Sequence, residues 1–328
     1  MKHILLHNLP IFTIIIFGYV CSYFKIVGKR SASIFTDFVF FIAIPAMLLG
    51  QFSSQSLEKL FNGPFIAAFI LSCLVIGGLT LLFSKRTFPN NLSERAISLI
   101  GTAQINTTYL AIPVFFLFFK NVAPIVLVMV FQTIFLTPLS IAILEYDIYR
   151  KAQPTQGVAT AMKLFLKHLP LILMKAPVVP AAMIGVALSY YQIPVAASLK
   201  HIFDVAGSMA APLSLFVLGL SLEQDRIDFT KDDLLIDLLG LTLLKNLMHP
   251  LVAFFIGRYI FDLEPFWMLS LCLLSAMPAA RNASLFAQRY GLNVRRTNAL
   301  ILITTFISFI TIGLILTFFK DQLQMFVQ

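Results

Sequence analysis

Ten long runs of apolar residues set the first constraint on the fold of this 328-residue chain. Each run has about twenty residues, the length that an α-helix needs to cross roughly 30 Å of hydrocarbon. Because the bilayer interior offers backbone groups no hydrogen-bond partner, each run is predicted to cross it as a helix. These predicted spans, numbered 1 to 10 in chain order, cover residues 8–26, 34–52, 64–83, 97–119, 122–144, 171–191, 203–222, 234–257, 266–288 and 298–319. The separation of spans 4 and 5 is the weakest, since only Lys120, Asn121 and Pro124 interrupt it.

The composition agrees with a chain that folds in lipid. Hydrophobic residues make up 59% of the sequence and charged residues 12%, whereas an average soluble domain is about 25% charged. Membrane-spanning strands would need segments of about ten residues with alternating polarity, which the sequence lacks. The predicted fold class is therefore an all-α polytopic membrane protein.

Basic residues are unevenly distributed over the predicted loops. Of the 24 lysines and arginines, fifteen fall in the loops after spans 1, 3, 5, 7 and 9, and six fall on the opposite face. Cytoplasmic loops carry an excess of such residues, so both termini are predicted outside and the 145–170 loop in the cytoplasm. The net charge of +9 is explained by this topology, and no nucleic-acid partner is expected because the basic residues are dispersed. The expected location is a cell membrane, either inner or plasma membrane.

An internal repeat relates the two halves of the chain. With a shift of 167 residues, a set of residues in the first half falls on identical residues in the second: Pro10 and Pro177, Gly18 and Gly185, Ser22 and Ser189, Tyr23 and Tyr190, Ile26 and Ile193, Asp37 and Asp204, and Pro45 and Pro212. The shift covers five spans, an odd number, so the second copy is expected to cross the membrane in the opposite orientation. The predicted domains are a first repeat at 1–144, the 145–170 loop and an inverted second repeat at 171–328. Such inverted repeats are a transporter architecture with the substrate at broken helices.

Spans 4 and 9 each carry a proline and an asparagine near or just past the middle. Proline lacks an N–H group and crowds the carbonyl four residues earlier. Pro113 is therefore expected to free the carbonyl of Tyr109, and Pro278 that of Leu274. Unsatisfied backbone at membrane depth is tolerated only where it faces protein or water, so a hydrated site between broken spans 4 and 9 is predicted.

The polar side chains around these breaks predict an anionic guest. The half-helix that starts near Pro278 would point N–H groups and its positive dipole end into the site, and Arg281 adds a full charge. Arg281 has a second interpretation, structural pairing with a carboxylate. Asn106 and Asn282 either contact the ligand or hydrogen-bond between helices, and Tyr109 is either a wall of the site or a contact.

Three further ionisable residues are candidates for ion coupling. Lys245 lies deep in span 8, where a buried lysine either carries a proton or pairs structurally. Asp37 and Asp204 are expected in the first turns of spans 2 and 7, where a carboxylate favours the helix N-terminus. They are interpreted as caps, with a coupling role as the alternative. Gln132 in span 5 is a candidate for lining the part that moves.

Several stretches resemble the auxin efflux carrier family. NTTYLAIP at 106–113 resembles its N-T-G-Y-L-G-I-P stretch, and AAPLSLFVLGLSL at 210–222 is similar to its seventh helix. MPAARNASLFAQRYG at 277–291, followed by TTFISFIT at 304–311, resembles its ninth and tenth helices. The resemblance covers nearly the whole chain. It implies ten transmembrane helices in two inverted five-helix repeats with a bile-acid-symporter-like fold. It also implies a scaffold part from spans 1, 2, 6 and 7 and a transport part from spans 3–5 and 8–10. Spans 4 and 9 would cross at their breaks.

The resemblance also implies organic anions as substrates: auxin in plant relatives, and dicarboxylates such as malate or malonate in bacterial ones. The short 145–170 loop resembles that of the bacterial branch. Thr108 and Ala111 stand where the family usually has glycine, so the break in span 4 is expected to be less open. Arg281 stands where the family more often has a small or apolar residue, which indicates either a more highly charged substrate or a salt bridge elsewhere.

The predicted function is secondary active transport of a small carboxylate by alternating access. The predicted substrate-binding residues are Asn106, Tyr109, Pro113, Pro278, Arg281 and Asn282. The alternatives are a sodium-coupled symporter resembling bile-acid carriers and a gated anion channel. No nucleophile with a base and no metal-ligand cluster occurs at a suitable spacing, so neither an enzyme nor a cofactor or metal site is expected. The expected partners are the anion, membrane lipid and a proton or sodium ion, and a homodimer is compatible with the sequence.

Overall fold

The computed structural model describes a helical chain. It covers residues 2–28, 30–53, 61–119, 121–152, 163, 166, 177–224 and 235–320. Within these residues no β-strand occurs, and an isolated backbone bridge joins Ile105 to Ala279. Six of the helices in the described ranges are long and apolar enough to cross a membrane. The all-α polytopic class predicted from the sequence is thereby confirmed.

The helices follow the predicted spans closely. The first half contains α1 (Lys2–Tyr23), α2 (Ser31–Phe52), α3 (Gly63–Thr87), α4 (Leu92–Ala103), α5 (107–119) and α6 (123–152). The second half contains α7 (Val178–Tyr190), α8 (197–224, with a turn at Met209), α9 (Leu235–Ile260), α10 (Pro265–Ser275), α11 (Asn282–Arg289) and α12 (Val294–Phe318). Predicted span 4 is therefore two helices, α4 and α5, and predicted span 9 is α10 and α11.

The predicted cytoplasmic loop begins later than expected. Helix α6 continues to Ala152, so residues 145–152 of the predicted 145–170 loop are helical. The extra turns carry polar residues that a hydropathy pattern assigns to a loop, although a helix readily extends beyond the hydrocarbon. The remainder of the predicted loop, apart from residues 163 and 166, lies outside the described residues.

Five short π-helical segments widen the longer helices within the described ranges. They are Val39–Ala43 in α2, Thr107–Ala111 at the start of α5, Gln132–Leu136 in α6, and Leu244–Met248 and Ile256–Ile260 in α9. Four of them are followed, after one further residue, by a proline: Pro45, Pro113, Pro138 and Pro250. A proline provides no N–H for the carbonyl four residues earlier, and hydrogen bonds between residues five apart let the helix continue around that defect. Pro113 therefore widens its helix, and the break in span 4 lies earlier in the chain.

The helices pack in two groups that meet along α8. The second half of α8 packs along α1 and also contacts α5, while its first half and α7 pack along the second half of α2. In the other group, α3 packs against α4, α4 against the end of α6, α9 against α10, and α12 against α9 and α11. These contacts link spans 1, 2, 6 and 7 to one another.

Glycines allow the closest approach between α1 and α8. A Cβ atom built on Gly18 would lie 2.2 Å from the backbone oxygen of Phe216, and one on Gly219 would lie 2.0 Å from that of Ile15. The same contact recurs between α2 and α7, where a Cβ on Gly185 would lie 2.7 Å from the Cβ of Phe52. These close approaches leave no space for a side chain and fix the distance between the helix axes.

Replacement of Gly219 by alanine is expected to destabilise the protein. Because the new methyl group would meet backbone atoms of α1, the two helices must move apart, at a cost of about 1–3 kcal/mol. The fluorescence of the single tryptophan, Trp267, reports thermal unfolding in detergent. Gly313→Ala in α12 is the control, since a Cβ there meets nothing within 4 Å, and equal unfolding temperatures for the two variants would contradict the packing.

Aromatic side chains fill the space between α3, α5 and α10. The ring of Phe65 lies 5.1 Å from that of Trp267, and the ring of Phe119 lies 5.2 Å from that of Phe115 and 5.8 Å from that of Phe266. This aromatic cluster lies where α3 and α10 begin and α5 ends. It lies at the end of the bundle to which residues 121–122 and 261–264 belong.

Candidate functional site

The two broken spans cross each other at their breaks. Helix α4 ends at Ala103 and α5 begins at Thr107, whereas α10 ends at Ser275 and α11 begins at Asn282. The backbone N–H of Asn106 donates to the oxygen of Pro278 at 3.0 Å. Together with the antiparallel bridge from Ile105 to Ala279, this bond joins the two non-helical segments directly.

Two side chains from the helices that follow the breaks satisfy the exposed backbone. Gln132 of α6 accepts from the N–H of Ile105 at 2.6 Å through Oε1 and donates to its oxygen at 3.4 Å through Nε2. Thr304 of α12 accepts from the N–H of Ala279 at 3.2 Å. Gln132 was predicted only as a lining residue, and Thr304 was not predicted. The sequence does contain a signal for this role, because both residues are polar and lie in otherwise apolar spans that follow the broken ones.

Asn106 begins α5 and also faces the site. Its Oδ1 accepts from the N–H of Tyr109 at 3.1 Å, and its backbone oxygen accepts from the N–H of Ala111 at 3.2 Å. This is the N-cap arrangement that satisfies orphan donors at a helix start. Since Oδ1 is used by the cap, Nδ2 is the part of this amide that can donate to a guest.

A cavity of about 310 Å³ lies beside the crossing. Its walls come from α2, α6, the non-helical segment before α5 and the start of α11. The lining residues are Thr36, Phe40, Gln104, Ile105, Asn106, Thr107, Thr108, Tyr109, Met129, Gln132, Thr133, Thr137, Ala280, Arg281, Asn282 and Leu285. A second cavity of about 70 Å³ lies between α8, α11 and α12 and shares Asn106, Arg281 and Leu285 with the first. Asn282 and Leu285 are exposed, so the larger cavity can be reached from outside the protein.

Arg281 stands between the two cavities at the start of α11. It is the residue before the first helical residue, Asn282. Its guanidinium carbon lies 5.8 Å from the centre of the Tyr109 ring, a cation–π distance. The Tyr109 hydroxyl donates to Thr36 Oγ1 at 3.1 Å. These contacts hold a positive charge and an aromatic wall at the cavity.

Two details of the predicted break in span 9 are wrong. The carbonyl of Leu274 is not free, because it accepts from the N–H of Met277 at 3.1 Å. The second half-helix begins at Asn282 and not near Pro278, and two N–H groups of its first turn, those of Ala283 and Ser284, already donate to nearby carbonyls. The positive character at this end therefore comes mainly from the guanidinium and the helix dipole.

The predicted site residues divide into two sets. Asn106, Tyr109, Arg281 and Asn282 all line the larger cavity. Pro278 lies at the crossing and uses its backbone oxygen there, and Pro113 follows the π-helical start of α5. Neither proline lines a described cavity.

The predicted coupling residues lie apart from the cavity. Lys245 is fully buried next to the end of α4. Asp37 and Asp204 are exposed, and their interpretation as first-turn caps is wrong. Helices α2 and α8 begin at Ser31 and Ala197, so both carboxylates lie beyond the first turn.

A buried ion cluster that the sequence analysis missed connects α4, α9 and α12. Arg296, only 1% exposed, donates to Asp237 at 2.8 Å through Nε, and its Nη2 lies 2.7 Å from the same oxygen. The Nη1 atom of Arg296 lies 3.5 Å from Glu94. The Nη2 atom also donates to the Ser98 hydroxyl at 2.7 Å. The sequence analysis counted Arg296 as a loop charge, since its partners are far away in the chain.

Comparisons with known proteins agree with a transporter. The model of a family described as "Membrane transport protein" matches residues 3–316. A Rhizobium meliloti (strain 1021) protein named "Putative malonate transporter" is 22% identical over 311 residues, which cover 93% of this chain and 92% of the relative. The family match includes both broken spans and every residue that lines the two cavities. The chain therefore belongs to this family of membrane transport proteins, the auxin efflux carrier family.

Proposed function

We propose that this protein is a secondary active transporter that moves a small carboxylate of the malonate or malate class by alternating access. The observation that carries the proposal is the crossing of two broken spans beside Arg281, at a cavity of about 310 Å³. That volume is at the lower end of ligand sites, which suits a small organic acid. The name of the Rhizobium relative supports a dicarboxylate of the malonate type.

The lining residues supply the donors that a carboxylate requires. A guanidinium binds a carboxylate through two parallel hydrogen bonds, and we assign this contact to Arg281. The amides of Asn106 and Asn282 add neutral donors, and the ring of Tyr109 forms the wall. A second carboxylate on the same substrate would lie toward the smaller cavity, where Gln288 and Asn298 are lining residues.

We also propose the ten-span architecture with two inverted repeats. Two observations support it. The shift of 167 residues relates Gly18 to Gly185, and it also relates Phe52 to Gly219. The close contact of Gly18 and Gly219 between α1 and α8 therefore corresponds to the close contact of Gly185 and Phe52 between α7 and α2. In each half, a side chain of the helix after the break also accepts a hydrogen bond from the non-helical backbone. This side chain is Gln132 in the first half and Thr304 in the second.

The proposed cycle moves one group of helices against the other. Spans 1, 2, 6 and 7 form the scaffold, and spans 3–5 and 8–10 carry the site. The basic loops face the cytoplasm and both termini face outside. The lining of the larger cavity extends along α6 to Thr137 and along α11 to Leu285, toward the basic residues at the ends of these helices, and the aromatic cluster lies toward the other end. On this basis we assign the described conformation to the inward-facing state of the proposed cycle.

Uptake into proteoliposomes tests this function. Purified protein would be reconstituted and offered radiolabelled malonate, malate and acetate, with an imposed pH gradient, a sodium gradient or neither. Saturable accumulation of a carboxylate above its outside concentration is expected when the coupling gradient is present. Flux without accumulation would identify a gated channel, a strict requirement for sodium would identify the sodium-coupled symporter, and absence of any carboxylate flux would overturn the proposal.

A further inference from the structure

Lys245 places a cation inside the bundle, outside the substrate cavity. It lies in the π-helical segment Leu244–Met248 of α9 and is 0% exposed. Among the described residues no ion pair includes it, and it lines neither of the two cavities. When Lys245 is protonated, its charge at membrane depth is costly without compensation, so dipoles must provide the compensation.

Polar groups surround the amino group of Lys245. Its Nζ donates to the backbone oxygen of Thr102 at 3.0 Å and lies 3.4 Å from His249 Nδ1. His249 Nε2 lies 3.4 Å from the Ser72 hydroxyl, which donates its own proton to the oxygen of Phe69 at 2.7 Å. The Ser72 hydroxyl uses its proton on Phe69, so the His249 tautomer with the proton on Nε2 is the one that lets Ser72 and Lys245 both contact this ring. In that tautomer Nδ1 accepts from Lys245.

The carbonyl that Lys245 contacts belongs to the last turn of α4. This helix ends at Ala103, with Gln104 as its C-cap. The last carbonyls of a helix have no donor within the helix, and the aligned peptide dipoles place about half a negative charge at this end. The ammonium of Lys245 therefore stands at the negative end of the half-helix that leads into the crossing.

The carboxyl ends of half-helices in transporters with discontinuous spans are positions where a coupling cation binds. We propose that Lys245 is a tethered cation that occupies this position at the end of α4 and fixes the backbone that leads into the carboxylate site. Thr102 is close in the chain to Gln104, a lining residue of the larger cavity, so Lys245 acts through α4 as a positioning residue. The inference rests on the proposed function for the nature of the ligand, and it implies that this end of α4 binds no exchangeable sodium ion.

Substitutions that separate charge from volume test the inference. Lys245→Met keeps most of the volume and removes the charge, whereas Lys245→Arg keeps the charge. We expect the methionine variant to lose about tenfold to thirtyfold in malonate affinity and the arginine variant to stay within about threefold of the unmodified protein. Arg258→Met is the matched control, because Arg258 lies on the same helix with an exposed side chain, and it should leave affinity unchanged.

A small amine supplies a second measurement that does not depend on transport. In Lys245→Ala, ethylammonium chloride should raise the unfolding temperature and restore part of the malonate affinity, whereas tetramethylammonium chloride, which is too large for the vacated space, should do neither. Unchanged malonate affinity in Lys245→Met, or equal losses in the Met and Arg variants with no amine rescue, would overturn the inference. If the unmodified protein binds no carboxylate, the proposed function fails. The unfolding temperatures of the three Lys245 variants, with and without ethylammonium, still decide whether a cation is required at the end of α4.

Discussion

Replacement of Arg281 by alanine is expected to abolish carboxylate uptake while the protein remains folded. The guanidinium is the full positive charge that the described residues place at the larger cavity wall beside Tyr109. Removal of one partner from a hydrogen-bonded charge pair that the substrate covers costs about 2–4 kcal/mol, or roughly 30-fold to 1,000-fold in affinity. Substrate affinity of the detergent-purified protein and initial uptake rates in proteoliposomes measure this loss.

The matched control for this substitution is Arg289→Ala. Arg289 belongs to the last turn of the same helix, is exposed, and lines neither of the two cavities. Its removal changes the net charge by the same amount, so uptake that stays within about twofold of the unmodified protein would exclude a general effect of charge. Unaltered transport by both Arg281→Ala and Asn106→Ala would defeat the site assignment.

The largest effect on stability is expected for Arg296→Met. This substitution leaves Glu94 and Asp237 buried without their cation, and the loss of one partner from a buried pair typically costs about 3–5 kcal/mol. The unfolding temperature, measured through the fluorescence of Trp267, should fall strongly. Substrate affinity measured well below that temperature should change much less, because Arg296 lines neither of the two cavities.

Charge balance distinguishes this explanation from a simple loss of packing. The cluster of Arg296 with two carboxylates carries one surplus negative charge when all three groups are ionised. Adding Asp237→Asn to Arg296→Met restores that balance and should recover a substantial part of the lost stability. A double variant that is no more stable than Arg296→Met alone would show that volume, and not charge, determines the effect. Arg258→Met, at an exposed pair with Asp262, should leave stability nearly unchanged.

Hydropathy predicted the helices well because the hydrocarbon core imposes a length on each span. Span 8, predicted at 234–257, corresponds to α9 at Leu235–Ile260. The same method misplaced the starts of spans 2 and 7, since α2 and α8 begin in interfacial sequence before the apolar run. That displacement produced the wrong interpretation of Asp37 and Asp204 as caps.

The sequence indicated which spans are broken but not where span 4 breaks. A proline signals a local defect, and α5 accommodates Pro113 by its π-helical start without losing its helical path. The break lies at 104–106, where Gln132 from another helix satisfies the backbone of Ile105. That partner is 27 residues away in the chain, and no local pattern reveals it.

The site residues were predictable to the extent that they are local. Asn106, Tyr109, Arg281 and Asn282 flank the two breaks in sequence, and all four line the larger cavity. Partners that join separate helices were not predictable from one sequence. Lys245 and Thr102 are 143 residues apart, and Arg296 and Ser98 are 198 residues apart.

The aromatic cluster also determines where a transmembrane voltage acts. In the proposed orientation, water that enters the larger cavity would carry the cytoplasmic potential to Tyr109, while Phe115, about two turns further along α5, already belongs to the cluster. Most of the voltage would then fall across this layer of rings instead of the whole bilayer. Each elementary charge that crosses it gains or loses about 2.3 kcal/mol per 100 mV, so a single step past these rings is electrogenic whatever distance the rest of the journey covers.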